Sequence, residues 1–386
     1  MQKKTTLIAL LPILFGFFVM GFCDIVGFTS DYVQRSFGWS DAVTGFVPSM
    51  VFIWFLFLGI PVGNMMNKWG RKNTVLLSMA VTVVGMLLPL VAYNGVTCMA
   101  AFAFLGIGNA ILQVSLNPLL SNVVTDARLL TSSLTIGQVV KALSSLMGPQ
   151  IVVLAIGWFG DDRWFYCFPI LGAVTLLSAL WLMLTPIKRE VASDSTLSMG
   201  DSFGLLKDKT ILMLFLGIFF VVGVDVSTNF IASKLMVSRF AWIQEEAKIA
   251  PQIYFFSRTV GALLGAVLLA RFSEIKYFRV NIVACVAAIA VLVAIDDAIV
   301  NLACIGAIGF FASSIFSIIY SMALQARPEA ANQISGLMIT AIAGGGVVTP
   351  VLGFVTESTT IVGGAYVILA CVLYLCWCAF GVKVAK

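Results

Sequence analysis

Histidine is absent from the 386 residues of this chain, and charged residues make up only 11% of it. Without imidazole side chains, proton transfer near neutral pH falls to carboxylates. A soluble domain has about a quarter of its residues charged, because its surface faces water. Here 60% of the residues are hydrophobic and the mean hydropathy is +1.04. The composition therefore predicts an integral membrane protein with many spans.

The sequence motifs of enzymes are also missing. The eight cysteines lie almost entirely in apolar runs. Without histidine they form no metal-binding or redox pattern, so we predict that they are small buried residues. No nucleophile–base set and no phosphate-binding loop accompanies them. We therefore predict a protein that is not an enzyme and that holds no cofactor and no metal ion.

Twelve apolar runs approach the ~20 residues that a membrane-spanning helix needs. They are 6–30, 42–66, 74–93, 97–124, 132–157, 164–185, 210–232, 248–270, 279–296, 299–325, 332–355 and 360–382. The longest polar segment, 186–209, separates two halves of six spans, 1–185 and 210–386. Its Ser, Asp and Lys content suits a solvated linker. The expected fold is all-α, with an N-terminal and a C-terminal six-helix bundle joined by a cytoplasmic linker.

The distribution of basic residues predicts the orientation in the membrane. With the N-terminus inside, sixteen of the 23 Lys and Arg residues fall in cytoplasmic segments and five in outer loops, which is a clear positive-inside bias. Both termini are then cytoplasmic, and the first apolar run is a retained span, not a cleaved signal. Basic loops facing an anionic leaflet account for the net charge of +5 without a nucleic-acid partner. We expect a monomer in the bacterial inner (plasma) membrane.

The two halves contain a similar stretch with an acidic residue. The first span has "FFVMGFCD", which ends at Asp24, and the seventh has "FFVVGVD", which ends at Asp225. Because each half has six spans, both enter the membrane in the same direction, as in transporters with parallel repeats. Chance similarity between helices rich in Phe, Val and Gly is the alternative.

Four charges lie deep in the apolar runs: Asp24, Asp225, Lys141 and Arg258. Each would cost about 2.5 kcal/mol or more at a lipid-facing helix centre, so we expect all four to face the protein interior. Structural ion pairing is the alternative to a function. We favour a function for Asp24 and Lys141, whereas both interpretations stay open for Asp225 and Arg258. As functional groups, Asp225 and Arg258 would join Lys141 among the candidates for substrate binding.

Asp24 is the candidate proton site. An apolar environment disfavours the ionised form of a carboxyl group, so such a group can take up and release protons near neutral pH. A proton that moves inward yields about 2.3 kcal/mol per 100 mV of membrane potential, enough to drive the accumulation of a neutral solute. Lys141 is the expected charge partner of Asp24.

Uncharged polar residues supply candidates for substrate binding. In the fourth span, Asn109, Gln113 and Asn117 follow one another at intervals of four and share one stripe of a helix. In the fifth, Gln138 and Lys141 share a face, and Asn229 lies in the seventh. Amides offer donors and acceptors together, which suits hydroxyl groups.

The segment "GNMMNKWGRK" (63–72) resembles the signature of the major facilitator superfamily, a Gly followed four residues later by an acidic residue and then by Gly-Arg-Lys. The resemblance implies that the matching positions contribute to the inner gate. They are Gly63, Asn67, Gly70, Arg71 and Lys72. Asn67 stands where the signature has the acidic residue, so one charge interaction of the gate is missing.

A closer resemblance is to the fucose permease group of sugar–proton symporters, which includes bacterial glucose/galactose carriers. "GNAILQVSLNP", "GQVVKALSSLMGP" and "YFFSRTVGALLG" are similar to its spans 4, 5 and 8, and residues 314–353 to its spans 10 and 11. The resemblance implies a coupling role for Asp24. In that group a span 4 glutamate stands at the position of Gln113, and a sugar-binding Asn at the position of Lys141. The site has thus lost a negative charge and gained a positive one.

We therefore predict a proton-coupled symporter that imports a monosaccharide by alternating access. Lys141 pairs with ionised Asp24, or it holds an anionic sugar such as a uronate. The alternatives are a carrier of an anionic sugar or organic acid, coupled to protons or sodium or working as an exporter, and a uniporter. A membrane sensor without transport is the alternative from a different class. The expected partners are a small sugar, protons and the lipid bilayer.

Overall fold

The computed structural model describes residues 2–39, 41–190, 199–247 and 249–382, and every regular element in these ranges is helical. The prediction of an all-α protein is confirmed. The first seven helices are α1 (Gln2–Met20), α2 (Ile25–Phe37), α3 (Asp41–Trp69), α4 (Arg71–Val91), α5 (Gly95–Val123), α6 (Ala127–Phe159) and α7 (Cys167–Leu184).

Ten more helices follow. They are α8 (Met199–Gly204), α9 (Lys209–Phe240), α10 (Gln244–Ala247), α11 (Ile249–Leu269), α12 (Glu274–Ala294), α13 (Ala298–Ala312), α14 (Ile315–Ala326), α15 (Ala331–Thr340), α16 (Gly344–Ser358) and α17 (Ile361–Gly381). Short 3₁₀ turns occupy Gly21–Asp24, Asp161–Tyr166, Leu205–Lys207, Pro328–Ala330 and Ala341–Ala343.

Within the described residues, ten helical segments are long and apolar enough to cross a membrane, and they coincide with the third to twelfth predicted spans. The first predicted span appears as a shorter apolar helix, Ile8–Asp24. The second corresponds to α3, which is not among the ten. The count of twelve therefore stays a prediction, and the structure supports a protein that crosses the membrane many times.

The first span is interrupted at the residues that carry its acidic group. The helix ends at Met20, the 3₁₀ turn Gly21–Asp24 follows, and α2 begins at Ile25. A side-chain carbon at Gly21 would lie 2.5 Å from the Lys141 carbonyl oxygen, so only glycine lets the turn approach α6 this closely. The corresponding helix of the second half, α9, has no such interruption over its 32 residues.

The helices group into two compact units. The first comprises Met1–Thr125, Gly137–Ser202 and Glu329–Thr340, and the second comprises the remaining residues, including Asp126–Ile136. In the first unit α5 packs against α3 and α4, and α15 packs against α3 and α5. In the second, α9 packs against α16 and α17, and α11 against α13. The beginning of α6 and all of α15 thus belong to the unit formed mainly by the other half of the chain.

The domain boundaries at 185 and 210 stay a prediction. The two compact units are not continuous in the chain, so they do not test these boundaries. The linker is described only in part, since residues 191–198 lie outside the described ranges. All eight cysteines are free thiols; seven are buried and Cys376 is half-buried. This agrees with the prediction that they are small buried residues.

Candidate functional site

Asp24 ends the 3₁₀ turn of the first span, and its side chain is exposed although its neighbours in the chain are buried. The Cys23 thiol donates to Asp24 Oδ1 at 3.2 Å. The Ser145 hydroxyl of α6 donates to Oδ2 at 2.5 Å. Asp24 is therefore accessible and has two side-chain donors, one on its own turn and one on α6.

Lys141 lies half-buried on α6, one helical turn before Ser145. The expected ion pair with Asp24 is not formed, since no bridge within 4.0 Å joins these two described side chains. Ser145 instead contacts both residues: its hydroxyl bonds to the Asp24 carboxylate, and its hydroxyl oxygen lies 3.0 Å from the backbone carbonyl oxygen of Lys141. Lys141 and Asn109 both lie near the Cys23 thiol.

The polar stripe of the fourth span lies on α5, and all three of its residues are buried. The Asn117 amide donates to the Gln113 carbonyl oxygen at 2.9 Å. The Asn109 amide is buried near the Cys23 thiol, and neither its nitrogen nor its oxygen forms a hydrogen bond of regular geometry with a described group; the same holds for Asn117 Oδ1. A buried amide without partners is costly, and a hydroxyl ligand or a water molecule would satisfy it. Gln138, on α6, is half-buried.

In the second unit, Asp225 is fixed by two neighbours on α11. Arg258 Nε lies 3.1 Å from Asp225 Oδ1 in a bridge whose side chains are 38% and 30% exposed, respectively. The Tyr254 hydroxyl donates to the same oxygen at 2.5 Å, and the Tyr254 side chain is fully buried. Of the two interpretations left open by the sequence, this geometry favours structural pairing. Asn229, one turn after Asp225, is half-buried.

The glycines of the signature segment allow close approaches of the backbone. A side-chain carbon at Gly63 would lie 2.7 Å from the Asn332 carbonyl oxygen of α15. Gly70 adopts φ +82° at the start of α4, a conformation that favours glycine. The Lys72 ammonium donates to the carbonyl oxygens of Met183 and Thr185 at 3.0 and 2.7 Å, at the end of α7.

Arg71 is buried and joins three parts of the first unit. Its Nε donates to Asn332 Oδ1 of α15 at 2.7 Å. Its Nη1 donates to the Pro118 carbonyl oxygen at 3.0 Å and to Asn122 Oδ1 at 2.5 Å. Asn332 also donates to Asn67 Oδ1 at 2.8 Å. Asn67 thus contributes an amide contact at the position where the superfamily signature has a charge.

Glu190 brings an acidic group to this network from outside the signature. Its Oε1 accepts from the Arg71 backbone N–H at 2.6 Å, and its Oε2 accepts from Asn122 Nδ2 at 3.0 Å. The first contact places a carboxylate at the N-terminus of α4, where the helix dipole favours negative charge. The segment after α7 therefore brings a carboxylate to the Arg71 backbone at the start of α4.

The second unit has a comparable polar contact at the beginning of α6. The Thr131 hydroxyl donates to Glu274 Oε2 at 2.6 Å, and Gln325 donates to Glu274 Oε1 at 3.4 Å. The Ser132 hydroxyl donates to the Ala266 carbonyl oxygen at 2.6 Å. In each unit a charged side chain, Arg71 in the first and Glu274 in the second, thus bonds to a segment from the other half of the chain.

Sequence analysis missed several of these residues. Ser145 lies one turn from Lys141, a residue that it had singled out, and this spacing could have indicated Ser145. Glu190 and Asn332 carry no such signal, because their partner Arg71 lies 119 and 261 residues away in the chain.

The chain is similar to a known protein family, to curated proteins and to solved structures. The sequence model of the Major Facilitator Superfamily matches residues 12–350. The chain therefore belongs to this superfamily of membrane transporters, and the prediction that it is not an enzyme is confirmed.

Two curated relatives match most of the chain. A protein named "Putative glucose/galactose transporter" of Helicobacter pylori (strain ATCC 700392 / 26695) is 26% identical over 384 residues, which cover 93% of this chain and 92% of that protein. The "Glucose/galactose transporter" of Brucella abortus biovar 1 (strain 9-941) is 23% identical over 320 residues, 79% of this chain and 76% of the relative. The resemblance to the glucose/galactose carriers is confirmed.

Solved structures share the fold. The transporter FucP in its outward conformation superposes with a TM-score of 0.85 at 18% identity, over 97% of this chain and 98% of FucP. The proton:xylose symporter XylE, bound to 6-bromo-6-deoxy-D-glucose, reaches a TM-score of 0.76 at 12% identity over 98% of this chain and 96% of XylE. At these identities the agreement is one of fold.

Proposed function

We propose that this protein is a proton-coupled symporter that imports a neutral monosaccharide by alternating access of its two halves. The observation that carries the proposal is the environment of Asp24. This carboxylate is exposed, it is held by a hydroxyl and a thiol, and it has no cation within 4.0 Å among the described residues. A carboxyl group that is accessible and not neutralised by a fixed cation can exchange protons during a transport cycle.

The names of the relatives support a hexose as the substrate, since they are called glucose/galactose transporters. The buried amides of Asn109 and Asn117 have polar atoms without a regular hydrogen bond to a described group and are suited to sugar hydroxyls. Gln113, Gln138 and Asn229 complete the proposed sugar-binding set. Asp225 and Arg258 would act there as a fixed ion pair. Asp24 takes the proton.

We place the transporter as a monomer in the bacterial inner membrane, with twelve spans and both termini in the cytoplasm. The inner gate comprises Gly63, Asn67, Gly70, Arg71 and Lys72, because these residues connect α3, α4 and α15 in the first unit.

Transport in proteoliposomes tests this function. Purified protein is reconstituted, and uptake of radiolabelled D-glucose and D-galactose is followed with an imposed inward pH gradient, with an inward sodium gradient, and with neither. We expect accumulation above equilibrium with the pH gradient alone. Accumulation that requires sodium, or equilibration without accumulation under every gradient, would contradict proton coupling.

A carrier of an anionic sugar is the second candidate, and Lys141 favours it. This ammonium group is half-buried beside the Asp24 turn and forms no bridge to a carboxylate in the described part of the chain. D-glucuronate and D-glucose should therefore be compared in counterflow, in the wild type and in Lys141→Asn. Selective loss of glucuronate transport in the variant would favour the anionic substrate, and unchanged selectivity would exclude it.

A further inference from the structure

The Ser145 hydroxyl lies between two acceptors that belong to different elements. It is 2.5 Å from Asp24 Oδ2 and 3.0 Å from the Lys141 carbonyl oxygen, one turn earlier on α6. A hydroxyl group has one proton to donate and two lone pairs that accept. It can therefore donate to only one of the two acceptors at a time, and the protonation of Asp24 decides which.

When Asp24 is ionised, the Ser145 proton goes to the carboxylate, because a hydrogen bond to a charged acceptor is the stronger one. When Asp24 is protonated, its carboxyl O–H can donate to Ser145 Oγ. The Ser145 proton is then released to the Lys141 carbonyl oxygen. The same three groups remain connected in both states, and only the direction of the hydrogen bonds reverses.

The second arrangement has a consequence for α6. A serine hydroxyl that bonds to the carbonyl oxygen four residues earlier competes with the helical hydrogen bond and often bends the helix. Here that carbonyl belongs to Lys141, the residue that carries the nearby positive charge. The turn and α6 are in close contact, since a side-chain carbon at Gly21 would lie 2.5 Å from this same carbonyl oxygen. A change in the curvature of α6 would therefore move Lys141 relative to the Asp24 turn.

We propose that Ser145 is a positioning residue that converts the protonation state of Asp24 into the placement of Lys141. The inference rests on the proposed proton-coupled function and adds to it the residue that transmits the proton signal. Ser145 replaces the direct ion pair that the sequence predicts between Asp24 and Lys141.

Other groups face Asp24 and could influence the same step. Cys23, on the turn itself, donates to Oδ1. Lys141 on α6 carries the adjacent positive charge, and α5 presents the uncharged Asn109 near the Cys23 sulfur. The experiment must therefore separate the hydroxyl of Ser145 from these neighbours, which single substitutions on α6 can do.

The test is a pH titration of the purified wild type and of Ser145→Ala by difference infrared spectroscopy, which requires no substrate. The C=O stretching band of the protonated carboxyl group is followed between about pH 4 and about pH 9. The band of Asp24 is the one that disappears in Asp24→Asn. In Ser145→Ala we expect its midpoint to move to higher pH by roughly one unit, because the ionised carboxylate has lost its hydroxyl donor.

Two further variants serve as controls. Ser144→Ala removes the neighbouring hydroxyl, which is buried and has no hydrogen-bond partner among the described groups, and it should leave the midpoint unchanged. Ser145→Thr keeps a hydroxyl at the position and should restore the wild-type midpoint. A wild-type midpoint in Ser145→Ala, or an equal shift in Ser144→Ala, would overturn the role of Ser145.

Uptake of D-galactose driven by a pH gradient separates this inference from the proposed function. If the wild type accumulates galactose but Ser145→Ala keeps the wild-type pH dependence of uptake, the function stands and the role of Ser145 is wrong. If the infrared midpoint shifts as expected but the wild type shows no pH-driven accumulation, the hydrogen-bond switch stands and proton-coupled transport is wrong.

Discussion

The two carboxylates of the repeated stretch occupy different surroundings. Asp24 lies on a 3₁₀ turn, is exposed, and accepts from a serine and a cysteine. Asp225 lies within the uninterrupted helix α9, is half-buried, and contacts an arginine and a buried tyrosine through one oxygen. The same sequence pattern has thus produced one carboxylate whose charge is balanced by a fixed cation and one whose charge is not. We infer that the first half of the chain carries the proton step and that the second half has an electrostatically neutral counterpart.

The largest expected effect comes from neutralising the two carboxylates in turn. Asp24→Asn should abolish accumulation above equilibrium, because the coupled proton supplies about 2.3 kcal/mol per 100 mV, or roughly a fifty-fold concentration ratio. Exchange of labelled for unlabelled sugar should persist. Asp225→Asn should retain pH-driven accumulation. Both are measured as the ratio of internal to external D-galactose in proteoliposomes, and uphill uptake by Asp24→Asn would remove the basis of the comparison.

Removing Arg258 should make Asp225 resemble Asp24, because neither carboxylate would then have a neighbouring cation. In Arg258→Gln the carboxylate keeps only the Tyr254 hydroxyl of its two observed partners. We expect a loss of stability of about 1 kcal/mol, well below the value for a fully buried pair, because both side chains are about one-third exposed. Thermal unfolding followed with a thiol-reactive dye measures it, since seven of the eight cysteines are buried.

The double variant Arg258→Gln with Asp225→Asn is the control for this effect. It removes both charges of the pair together, so part of the lost stability should return. If the two single losses simply add in the double variant, Asp225 and Arg258 are not coupled, and the contrast with Asp24 is weaker than the structure indicates.

A smaller effect is expected when the Tyr254 hydroxyl is removed from Asp225. Tyr254→Phe removes the donor to Asp225 but leaves Arg258 in contact with the same oxygen. The expected cost is about 1 kcal/mol of stability, typical of one hydrogen bond. The pH dependence of uptake should stay that of the wild type. A shift like the one expected for Ser145→Ala would mean that both carboxylates take part in the proton step.

The smallest effect concerns the start of α9. The hydrogen bond from Arg327 holds the pKa of Asp208 below its ordinary value, and Asp208 also accepts from the Thr210 backbone N–H at the start of the helix. Because this pKa is lowered on folding, the stabilisation is present above the ordinary aspartate pKa and is lost as the pH falls through the lowered value. Asp208→Asn should cost less than about 1 kcal/mol near neutral pH, since the pair is substantially exposed to solvent.

The pH dependence of that loss is the measurement that identifies its cause. Thermal unfolding of the wild type and of Asp208→Asn should differ near pH 7 and converge in acid, below both pKa values. A difference that is independent of pH would mean that the substitution acts through packing and not through the charge of Asp208.

Much of the fold followed from the sequence because a bilayer tolerates little else than long apolar helices. The third to twelfth predicted spans coincide with helices of the structure. The interruption of the first span at Gly21–Asp24 did not follow, because the apolar run continues through it. The turn lies against α6, whose Lys141 carbonyl oxygen leaves no room for a side chain at Gly21, and this contact exists only in the folded chain.

The candidate site was predicted in its residue types but not in its connections. Asn109, Gln113 and Asn117 do share one helix and are buried. The pairing of Asp24 with Lys141 was expected from opposite charge alone, whereas the structure gives Asp24 the Ser145 hydroxyl as its partner on α6. Opposite charge predicts only that two groups attract each other. Whether a hydrogen bond forms depends on the distance and angle between donor and acceptor, which the sequence does not give.

The sequence by itself determined that this chain is a membrane protein with a few charged residues inside its apolar segments. Composition and the length of the apolar runs are enough for this, because they decide whether a helix can face lipid. The tertiary structure decided which partner each of those charges has. Asp24 meets a hydroxyl 121 residues away, whereas Asp225 meets a cation and a phenol on a neighbouring helix. Contacts between residues so far apart arise only when helices pack, and it is the packing that gives one carboxylate a hydroxyl partner and the other a cation.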